Sequence, residues 1–181
     1  DRTTPAAGSY AVGVLAGQTG DAVVYNSDGT EQYRVAAPYG ASFTGGVRVT
    51  LADVTGDGTD DLIVAPGAGT APTVKVYDGA AGDHALVASF DAYESSFTGG
   101  VYVAAADITG DGLAEIVVGA DLGGGPRVRV FDGSSFTPVA DFFGIDDTNF
   151  RGGARAAVGD VNGDGVGDLL VAAGFDGGPR V

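Results

Sequence analysis

The 181-residue chain contains no cysteine, no methionine and no tryptophan, and one histidine, His84. Without cysteine there are no disulfides and no thiolate metal sites, and cysteine usage carries no information on the redox compartment. A lone histidine with no cysteine is a poor catalytic candidate, and His84 reads as a solvated turn residue. There is no Ser/His/Asp set and no phosphate-binding loop. Long hydrophobic runs are missing too: none approaches the roughly 18 apolar residues of a membrane helix. Positive charge is scarce, with nine Lys and Arg against 24 Asp and Glu, a net charge of −15. That balance argues against a nucleic-acid backbone or an anionic membrane surface as partner, so neither nucleic-acid binding nor membrane insertion is expected. No signal peptide or initiator methionine is present, and residues 1–9, "DRTTPAAGS", read as a linker-like stretch.

What the chain has in quantity is glycine, 33 residues, within a composition that is 44% hydrophobic and therefore not that of a disordered segment. It also has an internal repeat. "SFTGGVRVTLADVTGDGTDDLIVAPGAG" begins at Ser42, "SFTGGVYVAAADITGDGLAEIVVGADLG" at Ser96 and "NFRGGARAAVGDVNGDGVGDLLVAAGFD" at Asn149. Each unit reads as four short strands. "VRVTLAD" precedes an acidic segment, "DLIVAP" follows it, "TVKVYDG" alternates and ends on a turn, and "ALVASFDAY" supplies the fourth. No window shows helical periodicity, so almost no helix is expected. A four-stranded unit of this size cannot bury both faces alone and must stack on neighbours. Radial stacking gives an all-β propeller; a flat β-array or a solenoid is the alternative, and solenoid coils are shorter. The expected layout is a partial blade over 10–41, full blades over 42–95 and 96–148, and a partial blade over 149–181.

The acidic segments lie between the first and second strand of each unit. Counted from its first Asp, each loop has carboxylates at positions 1, 5 and 9: Asp53, Asp57 and Asp61; Asp107, Asp111 and Glu115; Asp160, Asp164 and Asp168. Position 3 holds Thr55, Thr109 and Asn162. Glycines at positions 4 and 6 allow the chain to curl, because they accept positive φ. Three carboxylates, one hydroxyl or amide oxygen, the position-7 backbone carbonyl of Thr59, Leu113 or Val166, and water make an all-oxygen set. Such a set suits calcium, with about three sites expected. An EF-hand is excluded, since position 12 is Val64, Val118 or Val171 and the flanks read as strands. An acidic surface turn is the plain alternative.

With these residues in view, the pattern resembles the FG-GAP repeat of integrin-like β-propellers. "FTGG" at Phe43 and Phe97 and "FRGG" at Phe150 correspond to one end of that repeat. The three acidic segments correspond to its calcium loop, D-x-[DN]-x-D-G-x-x-D, and "APGAG" from Ala65 corresponds weakly to its other end. Thr55 and Thr109 depart from the family's Asp or Asn, and Glu115 departs from its Asp. The loop at Asp160 is therefore expected to be the most regular. The resemblance implies a calcium-stabilised, non-enzymatic module, extracellular or at the cell surface, binding a protein or carbohydrate ligand in adhesion or cell-envelope structure. The alternative is a fragment of a secreted propeller enzyme acting on glycosides, for which Glu94 and Asp146-Asp147 are the only acidic candidates outside the loops. Two full and two partial blades further predict a longer chain or association with further copies. Three smaller expectations complete the reading. Arg127 and Arg180, in the repeated "GGPRV", form inter-blade salt bridges or recognise an anion. Phe43, Phe97 and Phe150 act as wedges between blades rather than as a ligand-stacking series.

Overall fold

Short valine-rich runs separated by Gly, Asp and Asn turns form thirteen strands in the computed structural model, which describes residues 8–80 and 82–178. The strands are β1 Tyr10–Val12, β2 Ala22–Tyr25, β3 Glu31–Val35, β4 Val47–Ala52, β5 Asp61–Pro66, β6 Thr73–Tyr77 and β7 Leu86–Asp91. They continue as β8 Val101–Ala106, β9 Glu115–Ala120, β10 Arg127–Phe131, β11 Pro138–Phe143, β12 Ala154–Gly159 and β13 Asp168–Ala173. There is no helix among the described residues, and hence none long and apolar enough to cross a membrane. All pairing is antiparallel and follows chain order. It gives a three-stranded sheet β1-β2-β3, four-stranded sheets β4-β5-β6-β7 and β8-β9-β10-β11, and a two-stranded sheet β12-β13. These are the expected blades, two of them complete.

The second strand of each complete unit has neighbours on both edges and both faces. Every residue of β5 ("DLIVAP") and β9 ("EIVVGA") is buried, which is why these read as unbroken apolar runs. The third strands alternate, with Val74 and Val76 on β6 and Val128 and Val130 on β10 turned to the core. The fourth strands β7 and β11 are largely exposed outer edges. In each of the first three units the register slips by one residue between the third and fourth strands, opposite Tyr25, Tyr77 and Phe131. This shared bulge puts the three units in strict register.

The first strands stand side by side, β4 against β8 and β8 against β12, with β1 against β4. Backbone hydrogen bonds join successive units at both ends of these strands. At one end the amides of Gly17, Gly69 and Gly123 donate to the carbonyls of Thr44, Thr98 and Arg151 at 2.7, 2.9 and 2.8 Å. At the other, the amide of Ala114 donates to the Asp53 carbonyl at 2.9 Å and that of Gly167 to the Asp107 carbonyl at 2.7 Å. Side chains add two further ties. The Tyr39 hydroxyl lies 2.9 and 2.8 Å from the carbonyls of Val64 and Thr73, and the Tyr93 hydroxyl lies 2.6 and 3.0 Å from those of Val118 and Arg127. On β4, β8 and β12 the second residues are Arg48, Tyr102 and Arg155. The two guanidinium carbons stand 3.6 and 3.7 Å from the centre of the Tyr102 ring, and Asp121 accepts hydrogen bonds from both arginines.

Two expectations change here. His84 is half-buried with φ 45°, its ring stacked 3.6 Å from that of Tyr33, so it is a joint residue rather than a solvated one. Phe43, Phe97 and Phe150 fill the corners made by the glycine pairs of their own units. A Cβ built on Gly45, Gly99 or Gly152 falls within 2.4 to 2.7 Å of these rings. Tyr39 and Tyr93, which pack on Phe43 and Phe97, make the reach to the next unit instead. Arg180 and residues 1–7 of the linker-like stretch lie outside the described residues.

Candidate metal-binding loops

Each acidic loop begins where the first strand ends and closes at the first residue of the second strand: Asp61 opens β5, Glu115 opens β9 and Asp168 opens β13. The glycines at positions 4 and 6 have φ between 78° and 91° in all three loops, which is the curl the sequence requires.

The position-1 carboxylate organises that curl in the same way each time. Asp53 accepts from the amides of Gly56 and Gly58 at 2.7 and 2.8 Å, Asp107 from those of Gly110 and Gly112 at 2.6 and 2.9 Å, and Asp160 from those of Gly163 and Gly165 at 2.6 and 2.9 Å. At position 5, Asp57, Asp111 and Asp164 each accept from the position-7 amide at 2.8 to 2.9 Å. At position 9, Asp61 accepts from Val54 and Thr55, and also from Gly79 across the unit. Glu115 takes the Ile108 amide at 2.9 Å and Asp168 the Val161 amide at 2.9 Å. The extra methylene of Glu115 is thus absorbed without losing the position-2 contact. At position 3, the Thr109 hydroxyl lies 3.5 Å from Glu115 and the Asn162 amide 3.3 Å from Asp168.

Among the described residues no three His, Cys, Asp or Glu side chains group as a metal cage; the loop carboxylates are engaged with loop amides. Each carboxylate oxygen has a second lone pair beyond the amide it holds. The donor set is therefore chemically fitted to a hard cation, with carboxylates at positions 1, 5 and 9 on a loop of positive-φ glycines. The charge balance points the same way. Asp61 is 0% and Glu115 1% exposed, and none of the ion pairs among the described residues involves either. Burial pushes the Asp61 carboxyl up against the pull of its amide donors. Burial likewise pushes Glu115 up, helped by the charges of Asp111 and Asp107. In contrast, the exposed Asp160 is held low by the amides of Gly165 and Gly163.

The acidic candidates outside the loops have structural partners. Glu94, in the connection between the two complete units, pairs with Arg127 at 3.1 Å, and Arg127 also pairs with Asp141 at 2.7 Å. The salt-bridge reading of Arg127 is therefore the observed one. Asp147 caps the Asn149 amide at 3.0 Å. Sequence reasoning passed over Asp60 and Tyr33, which line a cavity beside the first loop. Tyr33 gave no signal, because its counterpart in the next unit is Ala88. A family model described as the FG-GAP-like repeat matches the chain at residues 53–118 and 107–171, each match starting on the first Asp of an acidic loop.

Proposed function

Because the chain belongs to the FG-GAP-like repeat family, with matches spanning residues 53–171, we propose that it is a non-enzymatic propeller module whose blades are stabilised by calcium and whose surface binds a ligand outside the cell. The observation that carries the calcium reading is the pair of buried carboxylates Asp61 and Glu115, without an ion-pair partner, each closing a loop that repeats in a third copy. The ligands would be Asp53, Thr55, Asp57, Asp61 and the Thr59 carbonyl in the first loop. In the second they would be Asp107, Thr109, Asp111, Glu115 and the Leu113 carbonyl, and in the third Asp160, Asn162, Asp164, Asp168 and the Val166 carbonyl. Bound calcium would supply positive charge to these sites and no reaction chemistry. Sites of this kind in extracellular modules work at dissociation constants of about 10⁻⁴–10⁻³ M, which supports a calcium-rich compartment outside the cytoplasm. The family supports a role in adhesion, cell-envelope structure or carbohydrate binding, with a protein or carbohydrate ligand at the cell surface.

Each site occupied at a hundredfold excess of calcium over its dissociation constant adds about 2.7 kcal/mol. Melting of the protein with millimolar calcium and with excess chelator tests this: calcium is expected to raise the melting temperature, and an unchanged value sinks the reading. Calorimetric titration of Asp57→Ala and Asp164→Ala should each show one site fewer. A glycan array and a surface-protein pull-down, each run with and without calcium, test the ligand class.

A further inference from the structure

Position 2 of each acidic loop carries an apolar side chain that plugs the joint with the following unit. Val54 is fully buried in the cluster that contains Ala114 and Phe131, against Gly133. Ile108 packs with Val158 and Leu169, against Gly167. The register carries this count back one unit. Tyr25 and Tyr77 stand at the same bulge, paired to Tyr10 and Leu62 respectively. Ser9 therefore takes the place of Asp61, and Arg2 takes the sequence place of Val54. The sequence from Asp1 to Ser9 has the same length as that from Asp53 to Asp61.

The joint between the first and second units contains a cavity of about 230 Å³ beside Tyr33, Gln32, Thr59, Asp60 and Gly79. By register these are the walls that enclose Val54 one unit on, but their chemistry differs. Asp60 stands where Ala114 does, Thr59 where Leu113 does, Gln32 where Val87 does and Tyr33 where Ala88 does. Tyr33 is 8% exposed, and its buried hydroxyl has no hydrogen-bond partner among the described residues. Burial and the negative charges of Asp61, Asp78 and Asp60 push that hydroxyl up to about 12. An apolar plug has apolar walls; this seat offers oxygen acceptors under a negative potential.

We propose that the guanidinium of Arg2 is the plug of this joint, donating to the Tyr33 hydroxyl oxygen and pairing with Asp60. A guanidinium has five donors and no acceptor, which matches a seat of hydroxyl, amide and carboxylate oxygens. The fit is one of charge and of chain length, and it does not depend on calcium at the neighbouring loop.

The test is an exchange of plug and wall in the full chain, run both with millimolar calcium and with excess chelator. Arg2→Val and Asp60→Ala are each expected to lower the folding equilibrium constant about fivefold or more, and the double variant, which recreates the Val54–Ala114 pair, to regain most of the loss. Single effects that simply add, or an Arg2→Val protein as stable as the parent, overturn the proposal. A second measurement covers poorly folding variants. Phenylglyoxal modification of the parent protein, followed by mass spectrometry, should label Arg2 severalfold more slowly than Arg151, and Asp60→Asn should remove the difference. Equal labelling in the parent protein overturns the proposal and makes the cavity a seat for some other cation.

Discussion

Single positions in the loops have different jobs, and the geometry separates them. Gly56 and Gly58 both sit at positive φ, 78° and 86°, but a Cβ on Gly56 would meet Leu113 Cδ2 of the next loop at 2.7 Å, whereas nothing lies within 4 Å of one on Gly58. Gly58→Ala should therefore cost about 1 kcal/mol of backbone strain, and Gly56→Ala about 2 kcal/mol because a packed contact must also move. Chemical denaturation of the two variants checks the order. Asp141 allows a pH prediction. Arg127, followed by Arg129, outweighs burial and holds its carboxyl down at about 2, against 3.8 ordinarily. A lowered folded-state value means a contribution present above pH 3.8 and lost as pH falls from there towards 2. The side chain is 37% exposed, so the contribution is screened to about 1 kcal/mol or less. Asp141→Asn should lower the melting temperature slightly at neutral pH and converge with the parent near pH 2, as thermal melts across that range would reveal.

At the scale of strands and joints, the repeat made most of the architecture readable. A unit that returns after 54 and then 53 residues shows its strand runs several times over, and the loop at Asp53, Asp107 and Asp160 stood out because its carboxylates and glycines keep their chemistry. The joints were less legible for a physical reason: equivalent places hold different residues. Arg48, Tyr102 and Arg155 share a register yet act as a stack, and Tyr33 answers to an alanine. Tyr39 and Tyr93 do keep the period, but Asp146 occupies the next place, and tertiary hydrogen bonds to carbonyls leave no mark on local sequence pattern. The buried state of Asp61 and Glu115 was equally hidden, since an acidic loop reads as surface until the neighbouring unit covers it. These tyrosines give the element-scale prediction. Tyr93→Phe keeps the ring against Phe97 and removes only the hydroxyl that lies between the Val118 and Arg127 carbonyls. It should cost about 1–2 kcal/mol, mostly from the buried carbonyls left without a donor. Hydrogen exchange should then speed up in β9 and β10, which that hydroxyl joins to the preceding unit, ahead of β5 and β6.

For the whole molecule, the net charge of −15 makes any cation a stabiliser, so a bare response to calcium is ambiguous. Screening and site binding differ in form. At an ionic strength of about 0.15 M the screening length is about 8 Å, and further salt acts gradually, without saturation and with little regard to which cation carries it. Binding at curled oxygen loops saturates, and it discriminates between ions. Magnesium demands near-ideal octahedral geometry and keeps its waters, whereas a loop offering three carboxylates, a side-chain oxygen and a backbone carbonyl suits the looser calcium shell. Melting curves taken in a fixed background of about 0.15 M sodium chloride, with calcium, magnesium or additional sodium added at matched ionic strength, separate the two. Calcium is expected to raise the melting temperature along a saturating curve in the millimolar range, with magnesium and sodium giving smaller, unsaturated rises. Substituting Asp57, Asp111 and Asp164 together should abolish the calcium-specific part and leave the gradual part, because those carboxylates each hold only one loop amide and the fold survives their loss. If all three salts instead trace one common curve, the loops are acidic turns and the stabilisation is screening alone.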